Sequence, residues 1–148
     1  MSRRPSRRTS EEGSALVELT WLGILLLVPM IWIVLSVLEV QRGAFGVSAA
    51  ARSAGRAYAL APDDATGYRQ ARAAAALALA DQGIDGGWTM RISCEPLEDG
   101  CHVGGAVIVV HIETHVSLPF LPSFLGDDAT FAVEGEHTVP IGQYQEPL

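Results

Sequence analysis

Between Glu18 and Glu39 lies a run of twenty residues, Leu19 to Leu38, without one charged side chain. A helix of that length, at about 1.5 Å per residue, reaches roughly 30 Å, the thickness of a bilayer's hydrocarbon core. Thirteen of the twenty are Leu, Ile or Val. Each favours insertion by about 0.3–0.6 kcal/mol, so together they contribute on the order of 4–8 kcal/mol before Gly23 and Pro29 offset part of it. A helix buried in a globular core would be shorter and would show polar residues along one face. The run therefore predicts a single membrane span. Pro29 removes one backbone hydrogen bond in mid-span, which predicts a kink or local unwinding. Such a defect suits a helix that packs against other helices, and equally a lone bent anchor.

Charge gives the span a direction. All ten basic residues are arginines, and four of them (Arg3, Arg4, Arg7 and Arg8) precede the span within the first eight residues. From Ser14 onward, 6 Arg face 15 Asp and Glu, a balance of −9. By the positive-inside rule the basic start stays in the cytoplasm and the acidic part lies outside. An acidic body excludes the nucleic-acid-binding class, which needs a basic face. With 49% hydrophobic residues the chain has enough apolar surface to exclude disorder for most of its length. A cleaved signal peptide is the competing reading, and the small residues from Gly43 to Ala51 could mimic its cleavage site. Its apolar core is usually only ~7–15 residues, however, and here Glu39, Gln41 and Arg42 intervene.

The residues ahead of the span read Glu11-Glu12-Gly13-Ser14-Ala15-Leu16-Val17-Glu18-Leu19. A basic leader, a glycine, four small or apolar residues, a glutamate and then a membrane helix resemble a type IV prepilin-like leader. Among such proteins the chain most resembles the TadE-like minor pilins, or pseudopilins, of tight-adherence (Tad) pilus systems. That family also has a small-residue helix with spaced arginines after the span, matched here by Ala49-Ala50-Ala51-Arg52-Ser53-Ala54-Gly55-Arg56-Ala57. The resemblance is most specific over residues 8–60. It implies cleavage between Gly13 and Ser14 by a prepilin peptidase, and partners among pilin-like subunits or pilus platform proteins as well as membrane lipid. Gly13 has no side chain to obstruct a protease. Cutting there would create an α-amine four residues before Glu18. A carboxylate beside hydrocarbon is costly unless paired, so that ammonium is a natural partner that could set subunit register. Alternatively Glu18 simply sits hydrated at the cytoplasmic interface. Leu19 follows Glu18 where major Flp-type pilins usually have Tyr, a departure that points to a minor or accessory component.

Beyond the span, residues 39–61 are rich in Ala, Gly and Ser, and Arg52 and Arg56 share one helical face. This predicts a continuation of the membrane helix, ended near Pro62. Its small side chains would let a helix or sheet approach closely, or it is an alanine-rich surface helix that needs no partner. A second helix is expected over Thr66–Gln82, capped by Asp63 or Asp64 and stopped by Gly83, with Arg69 and Arg72 solvated. Three segments then alternate with period two. Trp88, Met90, Ile92 and Cys94 form one apolar face. Ile108, Val110, Ile112, Thr114, Val116 and Leu118 form the next, and Phe131, Val133, Val139 and Ile141 the third. Such alternation predicts half-buried antiparallel strands covered by the helices.

Cys94 and Cys101 bracket a turn-like stretch between the first two strands, and an outward location favours a disulfide worth about 2–3 kcal/mol. A zinc site recruiting His102 is disfavoured, because C-x6-C-H is not a standard zinc spacing. His111 and His115 on a strand would stand about 13 Å apart, too far to share one ion. No nucleophile signature or phosphate loop is recognisable. The expectation is a protein with no catalytic role, metal or cofactor. The segment from Pro119 to Gly126, with Phe120, Leu121, Phe124 and Leu125, is either a partner surface or a loop folded over the core. The expected organisation is a leader (1–13), a spanning and extended helix (14–61) and an extracytoplasmic α+β module (62–148). The function implied is a pseudopilin-like structural or assembly component. The alternative is an uncleaved, membrane-anchored binding module.

Overall fold

The computed structural model describes residues 11–96, 100–117 and 130–143. The architecture is α+β. Helix α1, Glu11–Ala59, is followed by helix α2, Asp64–Ala80, and by strands β1 (Trp88–Glu95), β2 (Val107–Ser117) and β3 (Thr130–Pro140). The strands form one antiparallel sheet in the order β1-β2-β3.

Helix α1 is 49 residues long and contains Pro29 without interruption, so the expected local unwinding is not seen. Its apolar stretch from Ser14 is long enough to cross a membrane, and none of the most apolar window is buried inside the protein. The character changes where the chain leaves that stretch. Gly43, Gly46, Val47, Ala50, Ala51, Ala54, Gly55 and Tyr58 are all buried, at the three-and-four spacing of a single helical face. Small residues there bring backbones together. A Cβ placed on Gly135 would lie 2.6 Å from the Val47 carbonyl carbon, and one on Gly55 would lie 2.9 Å from Val139 Cγ2. A Cβ on Gly43 would meet the side chain of Val116. The strands thus lie along the helix. From Val47 to Gly55 the helix climbs about 12 Å, and from Gly135 to Val139 the strand advances about 13 Å.

Helix α2 lays Gly67, Ala71, Ala75 and Leu79 onto this assembly. It begins two residues before the expected Thr66. Asp63 is the cap, accepting from the Thr66 N–H at 2.8 Å and the Thr66 hydroxyl at 2.9 Å. The helix ends at Ala80, short of Gln82. The Gly83 N–H then bonds the Ala80 carbonyl at 2.8 Å, with Gly83 at φ 75°, a left-handed turn that glycine adopts without strain.

The strand faces follow the expected alternation. Met90, Cys94, Ile108, Val110, Ile112, Thr114 and Val133 point inward and are buried, with Ile141 just beyond β3. Register aligns Met90 with Ile112 and Ile112 with Gly135. Phe131 departs from the expectation at 55% exposure. It lies on the inner face, paired with Val116 at the end of the edge strand β3, where α1 packs at Gly43 against Val116 and Val133. Leu118 lies outside the described residues.

Candidate functional site

Among the described residues, three places hold side chains that could carry chemistry or contacts. At the start of α1, Gly13 and Ser14 fall within the first helical turns, and Ser14 is exposed. Glu18 is exposed one turn later and makes no ion pair among the described residues. A new N-terminus at Ser14 would therefore stand about one turn from that carboxylate.

The second place joins both helices to the disulfide loop. Cys94 and Cys101 form a disulfide with a Cα–Cα distance of 5.5 Å. The next residue, His102, reaches back to the junction between α1 and α2. Its Nδ1 lies 2.6 Å from Asp64 Oδ1 and its Nε2 lies 2.9 Å from the Tyr58 carbonyl oxygen. The rings of Tyr58 and His102 stack at 5.2 Å, and the Tyr58 hydroxyl donates to Asp64 Oδ1 at 3.1 Å. Asp64 also accepts from the Cys101 backbone N–H. Partial burial works to raise the Asp64 pKa, but the bonds from His102, Tyr58 and Cys101 outweigh it and hold the carboxyl below its ordinary range. Burial, reinforced by the Asp64 charge, pushes the Tyr58 hydroxyl up to about 12.

An aspartate orienting a histidine invites comparison with a nucleophile–base arrangement. The nitrogen that would take a proton from a nucleophile is already engaged by a backbone carbonyl, however. The cluster is a clasp tying the end of α1, the start of α2 and the β1–β2 connection. Sequence reading weighed His102 only as a metal ligand, and nothing local to it announces a partner 38 positions away.

The third place is the outer face of the sheet. His111 and Glu136 sit directly opposite each other, with Nε2 2.7 Å from Oε2. His115 is exposed on the same face. Among the described residues no group of three or more His, Cys, Asp or Glu could hold a metal ion. Arg72, expected to be solvated, is exposed but lies over the Trp88 ring at 4.9 Å, linking α2 to β1 by a cation–π contact. Arg69 bonds the Thr66 hydroxyl at 3.1 Å.

Phe120, Leu121, Phe124 and Leu125 lie outside the described residues. The strand ends that flank them, Ser117 and Thr130, pair with each other, one rung beyond Val116, at the end of the sheet nearest the apolar part of α1.

Comparison with protein-family models, with curated proteins and with solved structures finds no match to this chain.

Proposed function

We propose that this chain is a pseudopilin-like structural or assembly component of a Tad-type pilus, anchored by α1 and processed by a prepilin peptidase after Gly13. The observation that carries the reading is the continuity of α1. One helix runs from the Gly13–Ser14 bond, through the apolar stretch, into the spine of a small α+β head. The leader pattern Gly13 to Glu18 supports it, as does the resemblance to TadE-like proteins over residues 8–60. In this reading the arginine-rich leader is cytoplasmic and the head extracytoplasmic, consistent with the charge asymmetry and with a disulfide in the head. The protein acts by contact. Its apolar helix packs beside pilin helices or platform proteins, and its head selects neighbours.

One observation favours the second reading, an uncleaved anchored binding module. The Gly13–Ser14 bond lies inside α1, so it must unwind before a protease can hold it. First turns fray readily, which makes that a small barrier.

The test is the N-terminus and intact mass of the membrane-extracted protein, from cells with an active prepilin peptidase. A chain beginning at Ser14, and no longer produced when Gly13→Leu is introduced, is the expected result. A chain beginning at Met1 or Ser2 overturns the pilin reading and leaves the anchored module.

A further inference from the structure

The head carries opposite charges on its two broad faces. On α1, the side turned away from the sheet exposes Phe45, Arg52 and Arg56, with Phe45 72% exposed. Neither arginine has an ion pair among the described residues. Behind α1, the sheet turns its other face outward with Glu113, Glu134 and Glu136, the last of which also meets His111 at 2.7 Å. Glu113 and Glu134 stand directly opposite each other in the β2–β3 register. Like charges across a strand pair are unfavourable unless a cation joins them. Among the described residues Arg91 is the one arginine on that face, and its partner in register is His111, a rung away from the glutamate pair.

We infer that a second copy of this chain docks its α1 face, through Arg52 and Arg56, onto the glutamate face of the sheet. The spacing agrees. Arg52 and Arg56 are one helical turn apart, about 6 Å. Glu134 and Glu136 are two residues apart on a strand, about 7 Å. Both vectors run the same way, because β3 advances along α1 from Gly135 beside Val47 to Val139 beside Gly55. Measured from Gly135 beside Val47, the arginine pair stands about 10 Å farther along the axis than the glutamate pair; the lean of helical side chains toward the helix N-terminus takes up part of this and a slip of about one strand rung along the axis the rest. Docking displaces a copy across the axis of α1 with only that small slip along it, so both apolar stretches remain in one bilayer. The two faces are different surfaces on opposite sides of the head. The contact is therefore head-to-tail and leaves one free face of each kind, so it can repeat. It depends on the head alone and holds whether or not Gly13 is cut.

The chain contains no lysine. Arg56→Lys therefore introduces the sole side-chain amine while keeping the charge. A zero-length carbodiimide then joins that amine only to a carboxylate in contact with it. Full-length protein in detergent, mixed from 14N- and 15N-labelled batches, should yield mixed-isotope dimers. The linked peptides should carry position 56 and one of Glu113, Glu134 or Glu136. Dimers linked only through other carboxylates, or no mixed-isotope dimer, overturn the inference. A charge swap gives a second readout. Arg52→Glu with Arg56→Glu, or Glu113→Arg with Glu134→Arg, should each lower the dimer yield of an amine-independent crosslinker at least fivefold. All four together should restore at least half of it. These side chains are not core residues, so each variant is checked for an unchanged melting curve. Failure of the four-fold variant to recover while folded overturns the docking.

Discussion

From Leu19 to Leu38, α1 presents large apolar side chains outward, Leu19 being 70% and Leu26 62% exposed. From Val47 to Ala54 the same helix has one face sealed, with Val47, Ala50, Ala51 and Ala54 at 0%. One backbone thus serves two surroundings. In the first half, side-chain size and apolarity match hydrocarbon, and no internal contact is needed. In the second, smallness matters, because the sheet and α2 can approach only where side chains are absent or short. Helical propensity is common to both halves. What distinguishes them is what they touch.

The most severe way to break the first half is a charge at its centre. Leu26→Arg should cost about 3–4 kcal/mol of insertion free energy. The fraction of protein resisting alkaline carbonate extraction should fall sharply, while the head keeps its disulfide and its melting curve. The matching lesion in the second half is Gly135→Val. Its added carbon would strike the Val47 backbone, which cannot swing aside, and a loss of about 3 kcal/mol in head stability is expected. Gly23→Ala sharpens the contrast. Nothing lies within 4 Å of that Cβ position, so head stability should stay within about 0.5 kcal/mol of wild type.

Removing the disulfide with Cys94→Ser and Cys101→Ser should lower head stability by about 2–3 kcal/mol, read from denaturant unfolding, with membrane extraction unchanged. The clasp is worth less. His102→Ala should cost about 1–2 kcal/mol, because its contacts with Asp64 and the Tyr58 carbonyl and its stacking on the Tyr58 ring are lost together. Its acid limb comes from Asp64, whose folded pKa lies below the ordinary 3.8. That contribution is complete at neutral pH and is lost as pH falls through the folded value. The alkaline limb comes from Tyr58, raised from 10.0 to about 12. Its contribution is complete below pH 10 and is lost as pH rises toward 12. Melting temperature against pH, for wild type and Asp64→Asn, measures the acid limb. The variant should be flatter in acid, and its alkaline limb should begin to fall at lower pH, because the Asp64 charge that helps raise Tyr58 is gone while burial remains.

Patterns carried by neighbouring residues were legible in the sequence. The apolar run, the period-two strands, a cap at Asp63 or Asp64 and the cysteine pair across a short turn each follow from chemistry within about twenty residues. Contacts between distant segments were not. Gly135 reads as an ordinary strand residue until the Val47 backbone lies against it. Phe131 keeps its place in the alternation, yet it is exposed at the end of the edge strand, although Gly43 of α1 packs against its register partner Val116. The arginines of α2 illustrate the same limit, since Arg72 finds the Trp88 ring only after β1 returns beside the helix.

Because α1 passes from the apolar stretch into the head without a break, the molecule has a shaft and no swivel. Any roll of the helix within the bilayer turns the head by the same angle. Each residue of helix contributes about 100° of azimuth and 1.5 Å of height. Adding or removing one residue near Glu39 would swing the Arg52 side of the head through more than a quarter-turn. Seven added residues would raise the head by about 10 Å and turn it back by only ~20°. The direction in which the head faces its neighbours is thus set, like the bit of a key, by the number of residues between Glu39 and Gly43.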